Sequence, residues 1–302
     1  MKVLNWNALS VKQRDDALSR PGRLNSKKLF ADVQAIIHRV QRQGDAALLA
    51  YAKQFDNVNL KSLAVTEKEF TIAEKSLDPK VKAALIEAIA RITRWHKAGM
   101  VKAFSVKTAS GVHCGRIIRP IQRVGLYIPA GSAPLPSTVM MLAIPAKLAG
   151  CPEVVLCSPP QADGSIDAAI LVAAKLCGVS KIYKTGGAQA IAAMSFGTKS
   201  IPRCDKLFGP GNAYVSTAKM IVQAMPNGPA IDMPAGPSEV LVIVDAQSNA
   251  AFAAADLLAQ AEHGPDSQVV CLSDSAEKLR EIVAEVKTQI NKLPRQAIVS
   301  KA

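Results

Sequence analysis

Aromatic residues make up only 4% of this sequence, with two tryptophans in 302 residues. There is thus little material for a stacking platform on which single-stranded nucleic acid could lie. No apolar run approaches the ~20 residues a membrane-spanning helix needs. Stretches such as Thr138–Ala146 and Val240–Val244 stop well short. The six cysteines (Cys114, Cys151, Cys157, Cys177, Cys204, Cys271) contain no CxxC pair, and no zinc-finger spacing or RNP motif occurs. The N-terminus reaches Arg14, Asp15 and Asp16 before any apolar run develops. No secretion leader is expected, and the cysteines read as reduced thiols of a cytoplasmic protein, most of them serving as small buried hydrophobes. Neither a membrane nor a nucleic acid is expected as partner.

What is present is ordinary for a globular chain: 49% apolar and 20% charged residues, enough to build a core without disulfides or metal staples. The length suggests about two domains. The formal net charge of +13 is unevenly spread. Residues 1–125 hold 23 Lys and Arg against 10 Asp and Glu, and the remainder is balanced. A basic half can mark a nucleic-acid surface. Here acids are interleaved among the bases on helical faces (Lys80, Lys82, Glu87, Arg91, Arg94), so a surface meeting an acidic segment of protein fits equally well.

The first hundred residues read as helices. Phe30, Val33, Ile36, Ile37 and Val40 recur at spacings of three and four, the mark of an amphipathic helix. Thr66-Glu67-Lys68-Glu69 has capping-box spacing ahead of Phe70. Asp78-Pro79 opens a helix with Val81, Leu85, Ile89 and Ile92 on one face. Residues 103–119 read as extended. From Arg123 onward short apolar runs (124–128, 153–158, 181–185, 205–208, 239–244, 268–273) alternate with helical segments near 138–149, 166–178, 187–196, 213–224, 249–263 and 275–291. This alternation predicts an α/β fold: a helical N-terminal region followed by Rossmann-like βαβ units with right-handed crossovers and a mostly parallel sheet. Such sheets bind ligands at the carboxyl ends of their strands.

Four loops around the predicted strands are rich in glycine, proline and small polar residues: Pro129–Pro134, Gly186–Gln189, Gly209–Asn212 and Asp232–Glu239. Glycine lets a backbone come close, and a helix starting just after it offers free N–H groups that hold phosphate oxygens. One such loop would pass for a tight turn; four at one sheet edge point to a phosphate-bearing ligand. Asn212 is also a candidate N-cap for the helix that follows. The dinucleotide fingerprint GxGxxG is absent. Gly209-Pro210-Gly211-Asn212-Ala213-Tyr214 has the first two glycines and lacks the third, so a nicotinamide cofactor would bind in another way.

Helix 249–263 carries Asp256, Gln260 and His263 at i, i+4 and i+7, and ends at Gly264-Pro265. Gln260 and His263, three apart, can converge on one metal ion. Equally, His263 can serve as a helix-terminal histidine that complements the dipole. Two ligands do not make a catalytic zinc site, which needs three. His38, His96 and His113 all lie in the N-terminal part.

Over most of residues 116–270 the chain resembles the histidinol dehydrogenase family. The resemblance rests on RVGLYIPAGSAPLPSTVMMLAIPAKLAG, GGAQAIAAMSFGT, DKLFGPGNAYVSTAK, DMPAGPSEVLVI and LLAQAEHGPDSQ. It implies a zinc- and NAD-dependent oxidoreductase that converts L-histidinol to L-histidine through L-histidinal, working as a homodimer. By the same resemblance Tyr127, Gln189 and Asn212 contact NAD, Ser238 contacts substrate, and Gln260 and His263 bind zinc and touch substrate. The expected organisation is a helical region over 1–122 packed on the sheet domains, a Rossmann-like NAD-binding unit over 123–235, and a second Rossmann-like unit over 236–302 that carries the zinc and substrate helix. The family pattern goes on to a Glu-His general base and further zinc ligands that have no counterpart here. The chain is therefore expected to lack a C-terminal segment and to be impaired, since loss of a general base costs about 10²- to 10⁴-fold in rate. The alternative is a non-catalytic module that binds NAD or dimerises.

Overall fold

A computed structural model of the chain describes residues 2–19, 27–130, 133–234, 239–264 and 267–300. The chain divides into two units: Phe30–Ala235, and Met1–Leu29 together with Gly236–Ala302. The N-terminal elements are a 3-10 turn (Trp6–Ala8), α1 (Val11–Leu18), α2 (Lys27–Gln43), α3 (Asp45–Phe55), α4 (Glu67–Ser76), α5 (Pro79–Ala98) and the strands β1 (Phe104–Ala109) and β2 (Val112–Arg116). Next come β3 (Arg123–Tyr127), α6 (Pro136–Leu148), β4 (Glu153–Ser158), α7 (Ala168–Cys177), β5 (Lys181–Lys184), α8 (Gly187–Phe196), β6 (Lys206–Phe208), α9 (Ala213–Ala224) and β7 (Ala230–Ile231). The smaller unit continues with β8 (Glu239–Val244), α10 (Ala250–Ala261), β9 (Gln268–Ser273), α11 (Ala276–Ile290) and α12 (Gln296–Val299).

The helices start where side chains can satisfy their free N–H groups. Thr66 and Glu69 close a reciprocal capping box on α4, and Asp78 caps α5 with Pro79 in its first turn. Val33, Ile36, Ile37 and Val40 of α2 are buried as their spacing predicts, whereas Phe30 is half exposed. Leu85 of α5 is buried and Ile89 and Ile92 pack on the core, but Val81, in the first turn, is exposed. Glu74 of α4 accepts from Lys82 of α5 at 2.8 Å and from Lys175 of α7 at 2.9 Å. These hydrogen bonds hold its carboxyl down at about 2.

In the larger unit five parallel strands lie in the order β5-β4-β3-β6-β7. Val124, Leu126 and Ile128 along β3 share one core with Val139 and Ile144 of α6 and Ile170 and Leu171 of α7. Alternate residues point the other way. Gly125 is the close approach on that face: a Cβ there would lie 2.7 Å from Leu207 and 2.9 Å from Met194 of α8. Helices therefore cover both faces, as a parallel sheet requires. β7 has only two residues, too short for periodicity to reveal. Leu63–Val65 also bonds to β5 through Lys184 N–H to Leu63 C=O at 2.7 Å and Val65 N–H to Ile182 C=O at 2.9 Å.

The extended segment 103–119 proves to be an antiparallel hairpin, β1 with β2, and all its strand residues are exposed. In the smaller unit β8 and β9 pair in parallel from Glu239–Gln268 to Val244–Ser273. Val244, Ala253, Leu257 and Ile282 form the core between this sheet and the helices α10 and α11. Among the described residues no helix is long and apolar enough to cross a membrane.

Candidate nucleotide site and the Gln260–His263 helix

The strand order itself marks a place in the larger unit. From β3 the chain moves outward to β4 and β5, then returns to the other side of β3 to lay down β6 and β7. The reversal falls between β3 and β6. At such switch points the loops diverge and open a crevice outside the carboxyl ends of the strands. The glycine-rich loops after β3, β5, β6 and β7 all leave from this one edge, though Gly131, Ser132 and Ala235–Ser238 lie outside the described residues.

Tyr127, the last residue of β3, is buried, and its hydroxyl accepts the Gly187 N–H at 3.1 Å. Burial, helped by the nearby Asp56 charge and opposed by this hydrogen bond, pushes the phenol up to about 12. Tyr127 is thus a neutral hydroxyl at physiological pH. α8 begins at the same point with no cap from Gly186; Tyr127 takes the Gly187 N–H, and the positive end of the helix dipole lies at the carboxyl edge of the sheet. Gln189 is also buried. Its amide folds back over Gly187, where a Cβ would lie 2.7 Å from Oε1. Asn212 is exposed and caps α9, its Oδ1 accepting the Val215 N–H at 3.1 Å. Tyr127, Gln189 and Asn212 thus line one edge, on three different elements. A helix N-terminus, small residues and hydroxyl and amide groups suit the pyrophosphate and ribose of a dinucleotide.

A cluster around the buried Lys219 holds the β6 loop, and residue spacing did not single it out. Lys219 of α9, 1% exposed, forms an ion pair with Asp232 just after β7. Its ammonium also donates to the Gly209 carbonyl at 2.9 Å, while Asp232 accepts the Gly209 N–H at 2.9 Å. Both backbone groups of Gly209 are therefore fixed. Gly209 has φ +131, and a Cβ would fall 2.2 Å from the Tyr127 carbonyl oxygen, so no other residue type fits. The available signal was one lysine on the apolar stripe Val215, Ala218, Val222 of α9, a position that asks for a buried partner.

Gln260 and His263 belong to the smaller unit. α10 ends at Ala261, so His263 sits in the turn beyond the helix, its N–H donating to the Gln260 carbonyl at 3.2 Å. As the crossover between two parallel strands, α10 runs against them. Its C-terminal end therefore lies toward the amino ends of β8 and β9, and the rule that ligands sit at carboxyl ends does not locate this pair. Ser238 lies outside the described residues. His263 is exposed, and the Gln260 side-chain nitrogen is buried without a hydrogen-bond partner. The unpartnered Gln260 nitrogen is a donor and does not ligate a metal; the atoms this pair would offer zinc are the Gln260 side-chain oxygen and an imidazole nitrogen of His263. Among the described residues no group of three or more His, Cys, Asp or Glu comes together. The pair is thus a partial donor set.

The family model described as histidinol dehydrogenase matches residues 19–302. The chain is 54% identical to a histidinol dehydrogenase of Xanthomonas euvesicatoria pv. vesicatoria (strain 85-10) over 302 residues, all of this chain and 70% of that protein. It is 50% identical to one from Vibrio parahaemolyticus serotype O3:K6 (strain RIMD 2210633), covering 69% of it. Among solved structures, histidinol dehydrogenase from Elizabethkingia anophelis aligns with a TM-score of 0.88 at 44% identity, over 97% of this chain and 67% of that one.

Proposed function

Because the chain belongs to the histidinol dehydrogenase family, an oxidoreductase family, we propose that the protein oxidises L-histidinol to L-histidine through L-histidinal, with NAD as electron acceptor and zinc as metal, in histidine biosynthesis. The observation that carries this reading is the strand-order reversal between β3 and β6, with Tyr127, the start of α8 and the clamped Gly209 loop at its carboxyl edge.

We assign the dinucleotide to the Rossmann-like unit over 123–235, through Tyr127, Gln189 and Asn212, and the substrate and zinc to 236–302, through Ser238, Gln260 and His263. Bound NAD supplies the hydride acceptor, and bound zinc supplies a Lewis acid that fixes substrate nitrogens. This chain's own residues supply alignment. Hydrogen bonds within the chain fix the Gly187 and Gly209 backbones, so little ordering cost falls on binding. None of the described residues is assigned as general base. The all-exposed hairpin, with Phe104, Val106 and Val112 turned to solvent, supports a homodimer. The biosynthetic reading and six unpaired cysteines support a cytoplasmic protein.

The test follows NADH absorbance on mixing the chain with L-histidinol, NAD and zinc, alongside calorimetric titration with NAD alone. Histidinol-dependent NADH at a strongly reduced rate is the expected result, since none of the described residues is assigned as general base. NAD binding without any NADH would favour the non-catalytic module instead, and absence of NAD binding would overturn both.

A further inference from the structure

Asp56 is placed where a protein gains nothing structural from a carboxylate. It is the C-cap of α3, at the negative end of that helix dipole. Its Oδ2 is buried without a hydrogen-bond partner. Burial, unrelieved by any other cause, pushes its carboxyl up to about 6. The packing of α3 shows where this group sits. At the opposite end of the helix, Asp45 accepts from the Ser200 N–H at 3.3 Å and the Ser200 hydroxyl at 2.6 Å, just beyond the C-terminal end of α8. α3 packs against α8 and so runs antiparallel to it. Asp56 therefore comes level with Gly187 and the carboxyl edge of the sheet. There its charge reaches the Tyr127 hydroxyl. Asn57, at φ +56, turns the chain away at once, and Val58 packs under Gly164 in the loop after β4.

We propose that Asp56 recognises the adenosine ribose of the dinucleotide, accepting hydrogen bonds from its vicinal hydroxyls and repelling a 2′-phosphate, so that it sets the choice of NAD over NADP. The inference rests on the dinucleotide reading above. Asp56 as a whole is only partly buried, so the accessible side of its carboxylate matches neighbouring O–H donors, and a phosphate dianion there would meet like charge. In open α/β sheets an acidic residue at the carboxyl edge does this work. Here the acid comes from the end of a helix laid beside α8, which is why no strand-based fingerprint points to it.

The test measures calorimetric dissociation constants for NAD, NADP and ADP-ribose on the wild-type chain, Asp56→Asn and Asp56→Ser, with a thermal midpoint for each. Wild type should prefer NAD. Asp56→Asn should bind NAD and ADP-ribose about tenfold more weakly and narrow the preference over NADP by a similar factor, with no fall in midpoint. Unchanged affinities, or equal weakening of NAD and NADP, would overturn the role given to Asp56 while leaving the dinucleotide site in place. A wild-type chain that binds neither NAD nor ADP-ribose would instead remove the reading on which it rests.

Discussion

Lys219 and Asp232 show at the scale of single residues how a polar pair can hold a loop that glycine alone would leave soft. The lysine is fully buried and the aspartate side chain mostly covered, so removing the aspartate leaves a buried ammonium with the Gly209 carbonyl alone. Asp232→Ala strands the ammonium and should cost about 3–5 kcal/mol in urea unfolding. Lys219→Met should cost less, because Asp232 keeps its bonds to the Gly209 and Met233 N–H groups. Asp56 carries the opposite sign. Its folded carboxyl lies near 6 against an ordinary 3.8, so the folded state binds this proton more tightly than the unfolded chain. Its destabilising contribution is full above pH ~6 and fades as pH falls toward ~4. Asp56→Asn should therefore stabilise the protein by about 1–2 kcal/mol near neutrality, allowing for screening of the part that water reaches. That gain should vanish in acid, as urea midpoints taken across the pH range would show.

Between β6 and α9 the loop Gly209-Pro210-Gly211-Asn212 is one rigid device. Asn212 starts the helix, and Gly209 lets the backbone pass against Tyr127. Gly209→Ala should push β6 from β3 at their carboxyl ends. NAD affinity should drop at least about tenfold by calorimetry while helix content by circular dichroism stays near wild type. Retained affinity would show that the loop does not shape the site. The GxGxxG template misses this device because its third glycine serves close helix–strand packing, whereas here Gly125 on β3 makes the close approach to α8.

The whole molecule presents two features for assembly. Residues 1–125 hold all of the net positive charge, and the β1–β2 hairpin exposes Phe104, Val106 and Val112, which its register puts on one face. A hairpin so exposed is at best marginal alone. If it forms the homodimer contact, Val106→Glu with Val112→Glu should shift the sedimentation coefficient from dimer to monomer without changing the thermal midpoint of the monomer. An unchanged dimer would place the contact elsewhere.

Element order and parallel architecture were legible in the residues alone, because periods of two and near four are local properties of the chain. Strands 153–158, 239–244 and 268–273 and helices 187–196 and 213–224 stand where their periodicity put them. Glycine clusters named the loops, and their motifs named the family. Three things were decided only in three dimensions. The reversal between β3 and β6 brings four loops to one edge; the Lys219–Asp232 pair closes over Gly209; and the antiparallel course of α3 beside α8 delivers Asp56 to that edge. Each depends on residues far apart in the chain meeting through packing, and no local pattern encodes such a meeting.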